Sequence, residues 1–74
     1  MRSVDEAKIL LEFGQRLKKI RAGKSISQEK LAEICDLDRS YIGSVERGER
    51  NISLINILKI AAALNTSAKN LITE

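Results

Sequence analysis

Arg39, Ser40, Gly43, Ser44 and Arg47 fall within nine residues, with Arg50 and Asn51 just beyond. On a helix they share one face, because they recur at three- and four-residue spacing. A guanidinium presents a planar fork of N–H donors that matches paired acceptors, on a phosphate or on the O6/N7 edge of guanine. Hydroxyls at 40 and 44 both donate and accept. Gly43 keeps the middle of the face thin. A thin, polar, basic face of this kind fits a major groove: Arg39 suits a base edge, and Ser40 and Ser44 suit base edges or phosphates. Arg47, Arg50 and Asn51 lie just past the helix, placed for phosphates, and Gln28 opens the preceding helix, where its amide and the helix N-terminus suit a phosphate. The plainer alternative is an ordinary solvated helix face.

The elements that position these residues are legible from caps and periodicity. Ser3 with Glu6 matches a capping box, and Ala7, Leu10, Leu11, Gly14, Leu17 and Ile20 form a stripe behind it, predicting a first helix over 4–23. Ser27 caps a second helix, 28–35, with Leu31, Ala32, Ile34 and Cys35 inward. Asp36 and Leu37 break it, Asp36 suiting a left-handed position and Leu37 plugging the turn. Asp38 caps a third helix, 39–47, locked by Ile42 and Val45 and ended by Gly48 as its left-handed residue. Ser53 caps a fourth, 54–64, followed by Asn65, and Ser67 caps a last turn through Leu71. Two short helices joined by a tight turn, with small Ala32 where they cross, make a helix-turn-helix. The fold class is all-α, a five-helix bundle in one domain, 1–74.

Composition narrows the chemistry. The 74 residues are 43% hydrophobic and 31% charged, a globular mixture, and a chain this short buries only about 60% of its unfolded surface. There is no His, so no imidazole base, His-ligated metal or Ser-His triad is available. A single Cys, Cys35, makes neither an internal disulfide nor a Cys-rich zinc site, and its place on the inward face of helix 2 suits a core residue. No cofactor or metal is implied, and the expectation is a non-enzyme. Apolar runs fall short of a membrane span, and the N-terminus turns acidic where a signal peptide turns apolar. A cytoplasmic protein without membrane contact is expected. Net charge is +3, but Phe13 to Lys24 carries five basic residues (Arg16, Lys18, Lys19, Arg21, Lys24) and no acidic one.

The runs Ser27-Gln28-Glu29-Lys30-Leu31-Ala32-Glu33, Leu37-Asp38-Arg39-Ser40-Tyr41-Ile42 and Val45-Glu46-Arg47-Gly48-Glu49-Arg50-Asn51 resemble the Cro/C1-type (Xre) helix-turn-helix family over roughly 13–71. Within it the chain is most similar to the controller proteins of type II restriction–modification systems. The resemblance implies a bundle of the lambda-repressor-like DNA-binding type. It also implies a dimeric transcription regulator on palindromic double-stranded operators, activating at low and repressing at high occupancy. By position, Arg39 corresponds to the main base reader, with Ser40, Tyr41 and Ser44 contributing to base or phosphate contacts and Gln28 and Arg47 to backbone contacts. Arg21 and Glu46 correspond to a structural pair tying helix 1 to the end of helix 3. Activation implies contact with RNA polymerase, for which Glu33, Asp36 and Glu46–Glu49 are candidate acidic residues. The chain departs from many relatives at Ser25 and Asp36, where Gly is common, and at Asn51-Ile52-Ser53, where Asn-Pro-Ser is common.

From Ile52 to Leu64, ten of thirteen residues are apolar, far more than the roughly 100° stripe of an ordinary surface helix. Either helix 4 is central to the core, or one side meets a partner. The expectation is a two-fold homodimer interface through Ile52, Leu54, Ile55 and Leu58, with Leu71 and Ile72 either extending it or capping the monomer's own core. Two rival functions remain: a phage-type repressor or antitoxin, and a protein-interaction module that does not bind DNA. The polar, basic face argues against the latter, since protein-binding faces favour large apolar and aromatic residues.

Overall fold

The computed structural model describes residues 4–73. Five helices follow in order: α1 (Glu6–Gly23), α2 (Gln28–Cys35), α3 (Arg39–Glu46), α4 (Leu54–Ala63) and α5 (Ala68–Ile72). No strand occurs among the described residues. Ser27, Ser53 and Ser67 each accept a hydrogen bond from the backbone N–H three residues on, at 3.0, 3.1 and 3.3 Å. Each thereby satisfies one of the unpaired donors that begin any helix. Two caps differ from expectation. Ser3 lies outside the described residues, and α1 starts at Glu6 behind Asp5, whose carboxylate accepts from Lys8 N–H at 3.0 Å. Asp38 occupies the N-cap of α3, but its side chain makes no cap hydrogen bond.

α1 to α4 share one ending. Ser25, Asp36, Gly48 and Asn65 take positive φ of 58°, 57°, 77° and 51°. In each case the next residue's N–H reaches back five positions to a carbonyl: Ile26 to Arg21, Leu37 to Ala32, Glu49 to Ser44 and Thr66 to Ala61, at 2.9–3.1 Å. This six-to-one closure satisfies the last carbonyls and reverses the chain. It also folds Ile26 and Leu37 back against the core.

The core is aliphatic apart from Phe13: Leu17, Leu31, Ala32, Cys35, Ile42, Val45, Ile60, Ala61, Leu64 and Leu71 are buried with it. α3 packs on α1 and α2, α4 on α2, and α5 bridges α1 and α4. The α1–α3 crossing is close because position 14 has no side chain: a Cβ there would lie 2.5 Å from the carbonyl oxygens of both Val45 and Glu46. Three inward assignments are corrected. Ile34 is half exposed, because α4 covers the Leu31–Cys35 side of α2 and not position 34. Ala7 and Leu11 are exposed, because α1 begins beyond the reach of the other helices and the buried line runs through Phe13, Gly14 and Leu17. Leu71 is fully buried and cannot form an outer interface, because α5 folds back and inserts it between α1 and α4.

Candidate nucleic-acid interface

α3 is held by one buried carboxylate. Glu46, at the end of α3, receives Arg21 Nε at 2.6 Å and Nη2 at 3.0 Å from α1, and Gln28 Nε2 at 2.9 Å from α2. Arg21 Nη1 also donates to the carbonyl of Ile26 at 2.8 Å, tying in the α1–α2 turn. The bidentate fork and the third donor satisfy a charge that burial would otherwise make costly. Glu46 holds the Arg21 guanidinium above its ordinary basicity, chiefly through the hydrogen bond. Three helices are thus fastened at one point, which fixes where α3 sits. Glu46 itself is buried and is removed from any surface acidic patch.

Gln28 belongs to this cluster as much as to a surface. Its amide donates to Glu46 and lies beside Gly43, where a Cβ would come within 3.7 Å of Oε1 and 3.2 Å of Arg47 Nη1. The middle of α3 is therefore thin but roofed by Gln28 and Arg47, which accounts for the burial of Gly43. Arg47 forms a second fork, to Glu49, at 2.9 and 3.2 Å. That hydrogen bond holds the Glu49 carboxyl below its ordinary value. Both side chains remain more than half exposed.

Arg39 and Ser40 open α3 exposed and take no part in the ion pairs among the described residues. Ser44 is half-buried and donates its hydroxyl to the Tyr41 carbonyl at 2.7 Å, leaving oxygen lone pairs as its outward function. Tyr41 is tethered. Its hydroxyl accepts from Asn56 Nδ2 of α4 at 3.1 Å, and Arg50 lies 5.7 Å from its ring centroid, within cation–π range. Sequence reasoning missed Asn56, and it placed Glu49 in a candidate acidic patch without its pairing to Arg47. Asn56 lies fifteen residues from Tyr41, beyond any local pattern, whereas Glu49 lies two residues from Arg47. Arg50 and Asn51 are exposed beyond α3. Among the four expected interface residues of α4 and its approach, Leu54, Ile55 and Leu58 are 67%, 63% and 50% exposed. Ile52 is half-buried against the core.

The geometry is that of a helix with an exposed basic start, anchored from behind by a buried carboxylate. The sequence matches the family described as Helix-turn-helix over residues 17–71. The chain belongs to the helix-turn-helix family, in the group of the restriction–modification controller proteins. It is 55% identical over 65 residues to the control protein C.BamHI of Bacillus amyloliquefaciens, covering 86% of this chain and 80% of that one. The crystal structure of the restriction–modification controller protein C.AhdI from Aeromonas hydrophila superposes with a TM-score of 0.83 at 56% identity, covering 84% of this chain and 94% of that chain. At that identity this chain is a relative of C.AhdI with a sequence of its own. The biofilm regulator SinR in complex with DNA superposes with a TM-score of 0.79 at 35% identity, covering 82% of this chain and 98% of that chain.

Proposed function

We propose that this chain is a homodimeric, sequence-specific DNA-binding regulator of restriction–modification genes, acting on palindromic operators by binding alone and without catalysis. The observation that carries the reading is the exposed Arg39–Ser40 start of α3, held by the buried Glu46 cluster behind it. Arg39 reads a base edge, with Ser40 beside it and Ser44 offering an acceptor. Tyr41, Arg47, Arg50 and Asn51 hold the phosphates that flank the groove, and Gln28 serves them through its place at the start of α2. An eight-residue α3 is about 12 Å long and spans only a few base pairs, so specificity requires two copies. The apolar face of Leu54, Ile55 and Leu58 supplies the two-fold contact. One occupied operator activates and a second represses. Contact with RNA polymerase falls to the exposed acids Glu33 and Asp36, with Glu49 available once Arg47 turns to a phosphate. The setting is the bacterial cytoplasm; no described helix is long and apolar enough to cross a membrane.

The test is selection of bound duplexes from a random DNA pool, with Arg39→Ala in parallel. A palindrome with half-sites about one helical turn apart is expected. Arg39→Ala is expected to lose about 1–3 kcal/mol of discrimination at a single position of each half-site. Absence of enrichment from folded protein at low salt would sink the reading.

A further inference from the structure

The cleft between α1 and α5 has no part in the reading face, yet its walls carry the chemistry of an anion site. Its volume is about 660 Å³, in the range of small-molecule pockets. Arg16, Lys19 and Lys24 line one wall, and Thr66, Asn70 and Thr73 line the other. Among the described residues no carboxylate lines it, and none pairs with its three cations; Glu12 stands in a smaller depression alongside, next to Arg16 and Lys19. Arg16 is under-used: its Nε is buried without a partner, and Nη1 reaches the Leu71 carbonyl only at 3.5 Å. A buried donor left unpaired is costly, and a swing of the guanidinium toward the cleft would let a ligand oxygen supply what the fold does not. Thr66 Oγ1 already accepts from Asn70 Nδ2 at 3.0 Å, so its hydroxyl proton is free to donate. Arg16 sits two residues from Gly14, whose face meets α3, and residues two apart point to nearly opposite sides of a helix. The cleft therefore lies on the far side of α1 from the reading helix.

We propose that this cleft binds a phosphate group, held by Arg16, Lys19 and Lys24 with the Thr66 hydroxyl. Two sources share that chemistry: a small phosphorylated molecule, and, since the cleft faces away from α3, the backbone of a DNA segment other than the one α3 reads. The experiment follows backbone amide signals of the full chain during titration with inorganic pyrophosphate at constant ionic strength, and separately with a short and a longer DNA duplex. Lys19→Gln/Lys24→Gln changes two exposed residues and leaves the core intact; Lys8→Gln, an exposed lysine outside the cleft, is the control. Saturable shifts at Arg16, Thr66 and Asn70 with pyrophosphate are expected. Loss of two charge-assisted contacts should weaken binding at least about tenfold in the double variant and not in the control. Response only to the longer duplex, weakened by the same variant, assigns the site to the DNA backbone and also supports the proposal. The proposal is overturned if neither probe moves those amides, or if Lys8→Gln weakens pyrophosphate binding as much as the double variant does. The pyrophosphate arm stands independently of whether α3 reads DNA.

Discussion

At the scale of single residues, Glu46 does more to define the reading face than any residue on that face. Its carboxylate takes three donors from two other helices. Removing it leaves the largely buried Arg21 without a counter-charge. Glu46→Ala is expected to cost about 3 kcal/mol in urea unfolding, typical of breaking a buried pair from one side. Cys35 is the contrasting case. It is buried, with Sγ 3.7 Å from the Lys59 carbonyl, and burial pushes its thiol pKa up. A group whose pKa is higher folded than unfolded contributes stability below the unfolded value and loses it as pH rises. Stability is therefore expected to fall above the ordinary thiol value of 9.0, and Cys35→Ala to flatten that alkaline decline in unfolding measured against pH. Alkylation of Cys35 should be slow in native buffer and fast in urea, since the thiolate is the reactive form.

At the scale of elements, helix starts and stops follow local chemistry, and helix crossings follow contact. The left-handed endings at Asp36, Gly48 and Asn65 were readable because those residue types tolerate positive φ. Ser25 adopts the same conformation without that compositional advantage, held by Ile26 N–H reaching Arg21 at 3.1 Å and by Arg21 Nη1 on the Ile26 carbonyl. Gly48 also lets the chain pass α1: a Cβ there would lie 2.9 Å from the Leu11 Cα. The crossing of α1 and α3 is the most sensitive contact in the bundle. Gly14→Ala places a methyl 2.5 Å from two backbone oxygens that cannot rotate away. It is expected to destabilise by about 3 kcal/mol, the upper part of the overpacking range, measured by chemical denaturation. Because the moved backbone carries Glu46, the variant should also lose DNA affinity at temperatures where it remains folded.

At the scale of the whole molecule, the question is what covers Leu54, Ile55 and Leu58. All three are at least half exposed on α4, beside Asn56, which reaches Tyr41 on the reading helix. The turn of α4 that carries the proposed dimer contact is therefore tied through Asn56 to Tyr41, a proposed DNA contact on α3. Ile55→Asp with Leu58→Asp is expected to leave the monomer folded, since neither side chain is in the core, and to shift sedimentation to the monomer. DNA affinity should fall in parallel, because each protomer then binds its half-site alone. For the proposed dimer, neutralising ~6–8 phosphates predicts a loss of ~10³-fold or more in affinity between about 50 and 200 mM salt.

The five helices, most of their caps, the left-handed stops and the identity of the exposed basic face were legible from the amino-acid order alone. Each of these is set within about five residues, by hydrogen bonds and periodicity that no distant contact has to supply. The tertiary structure decided which apolar positions the core takes. Leu71 and Ile72 are adjacent and equally apolar, yet one is fully buried and the other half exposed, because only the docking of α5 on α1 and α4 selects between them. It likewise decided that Ile34 faces out and that Gln28 turns toward Glu46. Asn56 meets Tyr41 across fifteen residues of chain for the same reason. Such pairings depend on where whole helices come to rest, and that position is a property of the packed core as a unit.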